Sequence, residues 1–283
     1  MVFKKNTLID EFTAASEGHR LAKILAIRAV ERMSGQHRLK RIYLDYKNQD
    51  TPSENFWIDM MLRLNLVPDF HGTSPDQIPA KGPLLVVANH PYGVLDGMAL
   101  CGVVAHRRQD FKIMINHVLA RIPEMQPHVL PVNFDETQAA RETNLASRQQ
   151  AEAYLKAGGA VLIFPAGGIS TTQSFLQTKA EDAPWGSLTG KLVKKTQANV
   201  VPIYFDGQNS QLFQKASHMT PAIRWAFMYH EVYRRKNTML DMVIGEPLSY
   251  ATLEPHLPPK KLAAYLREQT FDLARQMQSA PLF

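Results

Sequence analysis

The stretch LLVVANHPYGVLDG, residues 84–97, carries a histidine, His90, and a carboxylate, Asp96, separated by five residues. A carboxylate on one ring nitrogen holds an imidazole in a single tautomer. The other nitrogen is then free to take a proton, which is the work of a general base. The same residues also suit a turn in which Asn89 and Asp96 only cap backbone groups. A second stretch, AVLIFPAGGIS at 160–170, runs from an apolar segment through Phe164 and Pro165 into Gly167 and Gly168. Paired glycines let backbone amides approach a ligand and stabilise developing charge. A third, NVVPIYFDGQNS at 199–210, holds Pro202 inside an apolar run, which predicts an edge or bulge position.

The surrounding pattern supplies elements to position these groups. Short apolar runs at 84–88, 111–115, 129–132, 160–164, 200–205 and 240–244 read as strands. Helical stretches lie near 94–106, 139–157, 187–197, 209–217 and 258–277. Alternation of this kind predicts an α/β fold with a mostly parallel central sheet flanked by helices. In such sheets, sites are built at the carboxyl ends of strands, where His90 falls.

The division expected is an N-terminal helical segment, 1–69, and an α/β domain, 70–283. Within the first, residues 18–34 form a cationic amphipathic helix, with Ala22, Leu25, Ala26, Ala29, Val30 and Met33 on one face. It suits a membrane surface or packing on its own domain. A second helix is predicted to start at Thr51, with Thr51 as N-cap and Pro52 at the first helical position. It is apolar almost all round, suited to deep burial or to a bilayer interface.

Composition narrows the classes. The chain has 283 residues, 45% hydrophobic and 20% charged, enough for a sizeable core. One cysteine, Cys101, excludes an internal disulfide and a cysteine-based zinc site, and its apolar neighbours place it in the core. No HExxH, Walker loop, GxGxxG or GxSxG occurs, so no metal and no bound cofactor is expected. The net charge of +6 favours anionic partners: an acidic carrier protein, anionic lipid or nucleic acid. No basic arm or recognition motif supports nucleic acid. No stretch reaches the roughly 18 apolar residues of a membrane span, and the N-terminus lacks a signal's apolar region. A cytoplasmic protein, peripheral on the inner face of the membrane, is expected.

Taken in order, the three stretches and the later VIGEPL, 243–248, resemble the lysophospholipid and glycerol-3-phosphate acyltransferase family over residues 70–250. The first is similar to its Asn-His-x4-Asp motif, the second to its FPEG-type motif, the third to its later motif with a central Pro. NHPxGxxDG with FPAG is most similar to a bacterial subgroup of ornithine-lipid and haemolysin-like acyltransferases. RIPEMQPHVLPVNF at 121–134 and DGQNSQLF at 206–213 share that likeness.

The resemblance implies that His90 is the general base and that Asp96 orients it. It implies that Asn89, Gly93, Phe164, Pro165, Gly167, Gly168 and Pro202 line the substrate. It also implies an acyl thioester donor, on acyl carrier protein or coenzyme A, and a lysophospholipid-type hydroxyl as acceptor at a membrane lipid surface. Three positions depart from the family pattern. Ala166 stands for the Glu of the FPEG-type motif, Ile169 stands at or near its Arg, and Phe134 replaces a further Arg. Those charges are associated with the acceptor's phosphate. Arg121, Arg141 or Arg148 would have to supply a replacement, or the acceptor is a non-phosphate lipid such as a lyso-ornithine lipid. A lipid-binding module without activity is the remaining alternative.

Overall fold

The computed structural model describes residues 36–49 and 55–279. The expected helix at 18–34 and the expected cap at Thr51 lie outside these residues. After α1 (Gln36–Lys47), the helix α2 runs over Phe56–Arg63. Its N-cap is Asn55, whose side chain accepts from the Ile58 amide. Trp57, Met60 and Met61 are buried, and Ile58, Met61 and Trp57 close on Gly102 of the first sheet-covering helix. Leu62 is 70% exposed, so α2 is amphipathic and buries one face only.

Seven strands form one sheet in the order β1-β7-β6-β2-β5-β3-β4. They are β1 (Val67–Gly72), β2 (Leu84–Ala88), β3 (Phe111–Asn116), β4 (Val129–Val132), β5 (Ala160–Ile163), β6 (Asn199–Phe205) and β7 (Met239–Ile244). All pairs are parallel except β6 with β7. The sheet therefore begins at Val67, with an edge strand that the apolar pattern does not announce. VPDFHG has no run of apolar residues and alternates between exposed and half-buried.

Among the described residues, the further α-helices are α3 (Val94–Arg107), α4 (Gln138–Lys156), α5 (Leu188–Thr196), α6 (Gln211–Ser217), α7 (Pro221–Arg234), α8 (Tyr250–Leu253), α9 (Pro259–Asp272) and α10 (Ala274–Ser279). The stretch expected as one helix over 258–277 is thus two, and α7 is additional to those expected.

Helices cover both faces of the sheet, and β2 records this. Leu84, Val86 and Ala88 pack into a cluster with Leu95, Ala99 and Leu100 of α3. Leu85 and Val87 pack into another with Leu155, Leu192 and Leu262 of α4, α5 and α9. All five β2 side chains are fully buried. A strand covered on both faces must be apolar at every position, unlike the alternating strand of a half-solvated sheet.

Pro202 corrects an expectation. It lies on neither an edge strand nor a bulge, but within β6, paired in register with Val87 of β2. Its carbonyl accepts from the Gly245 amide, so its nitrogen also faces the β7 side. The β6–β7 ladder begins only at Ile203, where Ile244 ends β7. The missing N–H therefore falls where no partner is needed.

Candidate active site

The carboxyl end of β2 delivers Asn89 and His90 to the edge of the sheet. Asn89 is buried and spends its amide on the neighbouring strand. Its Nδ2 donates to the Phe205 carbonyl at 2.8 Å and its Oδ1 accepts from the Phe205 amide at 2.7 Å. This residue clasps β2 to β6, and both polar atoms are occupied, so its role is structural.

The chain then turns through Pro91, Tyr92 and Gly93 into α3. Gly93 has φ +75°, a conformation that side-chain-bearing residues rarely adopt. A Cβ there would come within 2.7 Å of Ile169 Cδ1. The turn is held by Asp96 in the first turn of α3. Asp96 Oδ2 accepts from the amides of Tyr92 at 2.7 Å and Gly93 at 2.9 Å. The same oxygen lies 3.1 Å from His90 Nδ1. That contact is close but off hydrogen-bond geometry, and Nδ1 and Asp96 Oδ1 have no hydrogen-bond partner among the described residues. Five intervening residues are thus accommodated by a turn that folds back onto the carboxylate.

Asp96 is wholly buried. Burial raises its carboxyl above the ordinary value of 3.8, while His90 and the two amides oppose that rise. The His90 ring stacks on Phe164, centroids 3.8 Å apart at 22°. Its side chain remains 16% exposed. With Nδ1 toward Asp96 and one ring face covered, Nε2 is the nitrogen a substrate hydroxyl can reach.

The loop after β5 closes around this histidine. The Ser170 amide donates to the His90 carbonyl at 2.9 Å. Asp182, also buried, accepts from the His90 amide at 3.3 Å, the Ser170 hydroxyl at 2.5 Å and the Trp185 indole at 3.1 Å. On the other side, the Tyr92 hydroxyl donates to the Asp206 carbonyl at 2.7 Å and accepts from Arg235 at 2.5 Å. Burial pushes the Tyr92 phenol up to about 12, so it stays neutral. The turn that carries His90 is fixed from the sides of both neighbouring strands.

A family model described as Acyltransferase matches residues 25–279. The chain belongs to that acyltransferase family. Two curated relatives share the description lyso-glycine lipid O-acyltransferase. The one from Bacteroides thetaiotaomicron is 26% identical over 70% of this chain and 72% of its own length. The one from Phocaeicola vulgatus is 23% identical over 70% and 71%. Among solved structures, the 1-acyl-sn-glycerophosphate acyltransferase PlsC of Thermotoga maritima superposes with a TM-score of 0.50 at 14% identity. That match covers 94% of this chain and 100% of PlsC, and it shows a shared fold.

In this acyltransferase, the residues expected at the site divide. Asn89, His90, Gly93, Asp96, Phe164 and Pro165 meet at the ends of β2 and β5. Gly167 and Gly168 are exposed, and the Gly167 amide already donates to the Phe164 carbonyl at 3.0 Å. That amide is therefore not a donor for developing charge, contrary to the expectation. Pro202 stays inside the sheet. Arg121, after β3, and Arg141, in the first turns of α4, are both exposed. The strands they follow, β3 and β4, lie two and three places from β2 in the sheet. Arg148 is exposed on α4 as well.

Ser170, Asp182 and Arg235 were not singled out by spacing, because they reach the turn from sequence distances of up to 143 residues. Among the described residues, one group could share an ion: Asp69, His71 and Asp241 across β1 and β7. Its separations of 3.5 and 3.9 Å suit surface ion pairs, and the dyad takes no part in it. No helix among the described residues is long and apolar enough to cross a membrane.

Proposed function

We propose that this acyltransferase moves an acyl group from a thioester, on acyl carrier protein or coenzyme A, to the hydroxyl of a lyso-lipid. His90 Nε2 takes the proton of the acceptor hydroxyl as its oxygen attacks the thioester carbonyl. Asp96 stabilises the imidazolium. The new C–O bond forms as the C–S bond breaks, and the proton passes to the departing thiolate. No acyl-enzyme is required, since the acceptor oxygen is itself the nucleophile.

The observation that carries this reading is the buried Asp96 carboxylate 3.1 Å from Nδ1 of a partly exposed histidine. Family membership supports acyl transfer as the reaction. The acceptor we favour is a lyso-amino-acid lipid with a free carboxylate. Two relatives are described by a lyso-glycine lipid, and Ala166, Ile169 and Phe134 remove charges associated with a phosphate. The net charge of +6 suits work on the inner, anionic membrane surface.

The test is transfer from labelled acyl carrier protein and acyl coenzyme A to a panel of lyso-lipids. Wild type should acylate one class, and His90→Ala should lose about 10²–10⁴-fold in rate. Near wild-type turnover by the mutant would falsify the dyad. Lipid binding with no transfer from either donor would favour an inactive binding module.

A further inference from the structure

Helix α7 brings to the site a cation that pairs with no described carboxylate. Its residues Arg224, Met228 and Glu231 recur at helical spacing and share one face. Each touches a different part of the catalytic loops. Met228 lies 3.1 Å from where a Cβ on Gly93 would sit. Glu231 accepts from the amide and hydroxyl of Ser210. Arg224 Nη2 donates to the Ile169 carbonyl at 3.1 Å, one residue before the Ser170 amide that binds His90. The guanidinium also sits 5.9 Å from the centre of the Phe213 ring.

Arg224 is half-buried, and burial lowers its affinity for the proton. An arginine carries five N–H donors, yet among the described residues Arg224 makes this one hydrogen bond and pairs with no carboxylate. Half-buried and without a carboxylate partner among the described residues, this guanidinium keeps N–H donors that an anionic ligand can take up. A second polar group on the loops that α7 holds is also unspent: Asn209, buried next to the Ser210 that Glu231 holds, has neither amide atom bonded among the described residues.

We propose that Arg224 is the binding residue for the anionic head group of the acceptor, a carboxylate or a phosphate held by the guanidinium fork. This rests on the lyso-lipid reading above and deepens it. Ile169 stands at or near the Arg of the motif that this loop resembles, and Arg224 reaches the Ile169 carbonyl from a helix about 55 residues further along the chain. A planar fork on a carboxylate also fixes the direction in which the acyl chain and its hydroxyl leave the head group. The hydroxyl can then be presented to His90 Nε2.

The experiment is equilibrium binding, alongside turnover, of three probes: an N-(β-hydroxyacyl)glycine, its methyl ester, and a lysophosphatidate of matched chain length. Wild type should bind the free acid about 10- to 100-fold more tightly than the ester, the span of a hydrogen-bonded charge pair. Arg224→Gln should abolish that preference, and Arg224→Lys should restore part of it. Loss of lysophosphatidate affinity in Arg224→Gln would mark phosphate as a ligand of the same fork. Equal wild-type affinity for acid and ester, or a preference that survives in Arg224→Gln, overturns the proposal and leaves Arg224 as a brace for Ile169. Arg224-dependent anion binding without any acyl transfer would instead overturn the lyso-lipid acyltransfer reading while this assignment stands.

Discussion

The two ends of the parallel sheet treat their polar groups in opposite ways. At the amino end, the side chain of Arg108 is only 1% exposed, and it makes five hydrogen bonds. Two go to Asp110 before β3, and the others to the carbonyls of Pro79, Gly82 and Gly158 around the entries to β2 and β5. At the carboxyl end, Arg224 makes one. His90, Asp96, His117 and Asn209, which follow β2, β3 and β6, each keep a buried atom without a partner. Two other such residues, Thr189 and Arg267, lie in α5 and α9. A saturated arginine stabilises the fold, and an unsaturated one stands ready for a ligand. Cohesion and chemistry thus occupy opposite edges of one sheet.

That contrast can be broken in graded steps. The largest effect belongs to His90→Ala, where rate collapses while the urea midpoint stays near wild type. Arg108→Met should do the reverse. It leaves three carbonyls unpaired and should lower unfolding free energy by about 3 kcal/mol, while the folded fraction keeps its kcat. An Arg108 variant that lost activity at unchanged stability would erase the distinction between the ends.

Gly93→Ala should affect both properties. The positive φ costs about 1–2 kcal/mol with a side chain present. The displaced turn moves His90, so kcat should fall by about tenfold or more. Stability and rate measured on the same preparation check this.

The smallest effect is a pH dependence at Asp96. Its native carboxyl binds a proton more tightly than in the unfolded chain. The stability tied to that proton is fully present below about 3.8 and is lost as pH rises through the raised native value. Asp96→Asn stays neutral, so its stability relative to wild type should climb between acid and neutral pH, even as activity is lost. A difference that stays flat across that range would mean burial does not penalise the carboxylate.

Much of this arrangement was legible in the residues. Apolar runs marked six of seven strands: five lie inside the sheet, where both faces are covered, and the sixth, the edge strand β4, is VLPV, apolar though half-buried. VPDFHG escaped because this edge strand, half in solvent, carries Asp69 and His71 in place of such a run. Helix α7 escaped although its Thr220 cap and Pro221 give a start signal of the kind read at Thr51. Reading it would have offered Arg224 as a candidate in place of Arg121 and Arg141. The His90–Asp96 pair was visible because one turn contains both. The Asp182 contact, 92 residues from His90, exists only through the fold, and no local spacing encodes it.

The loop after β5 is pinched shut at its neck. Thr171 and Glu181 exchange two backbone bonds of 3.1 Å, directly beside the Ser170–Asp182 contact. Beyond that closure, Phe175 and Leu176 stand in solvent, Leu176 almost entirely. In evolutionary terms the tip is insulated. Residues can be added or exchanged there at little thermodynamic expense, because closing a slightly longer loop adds only tenths of a kcal/mol, roughly, to the chain entropy. Descendants of this protein can therefore remodel this loop tip without moving His90.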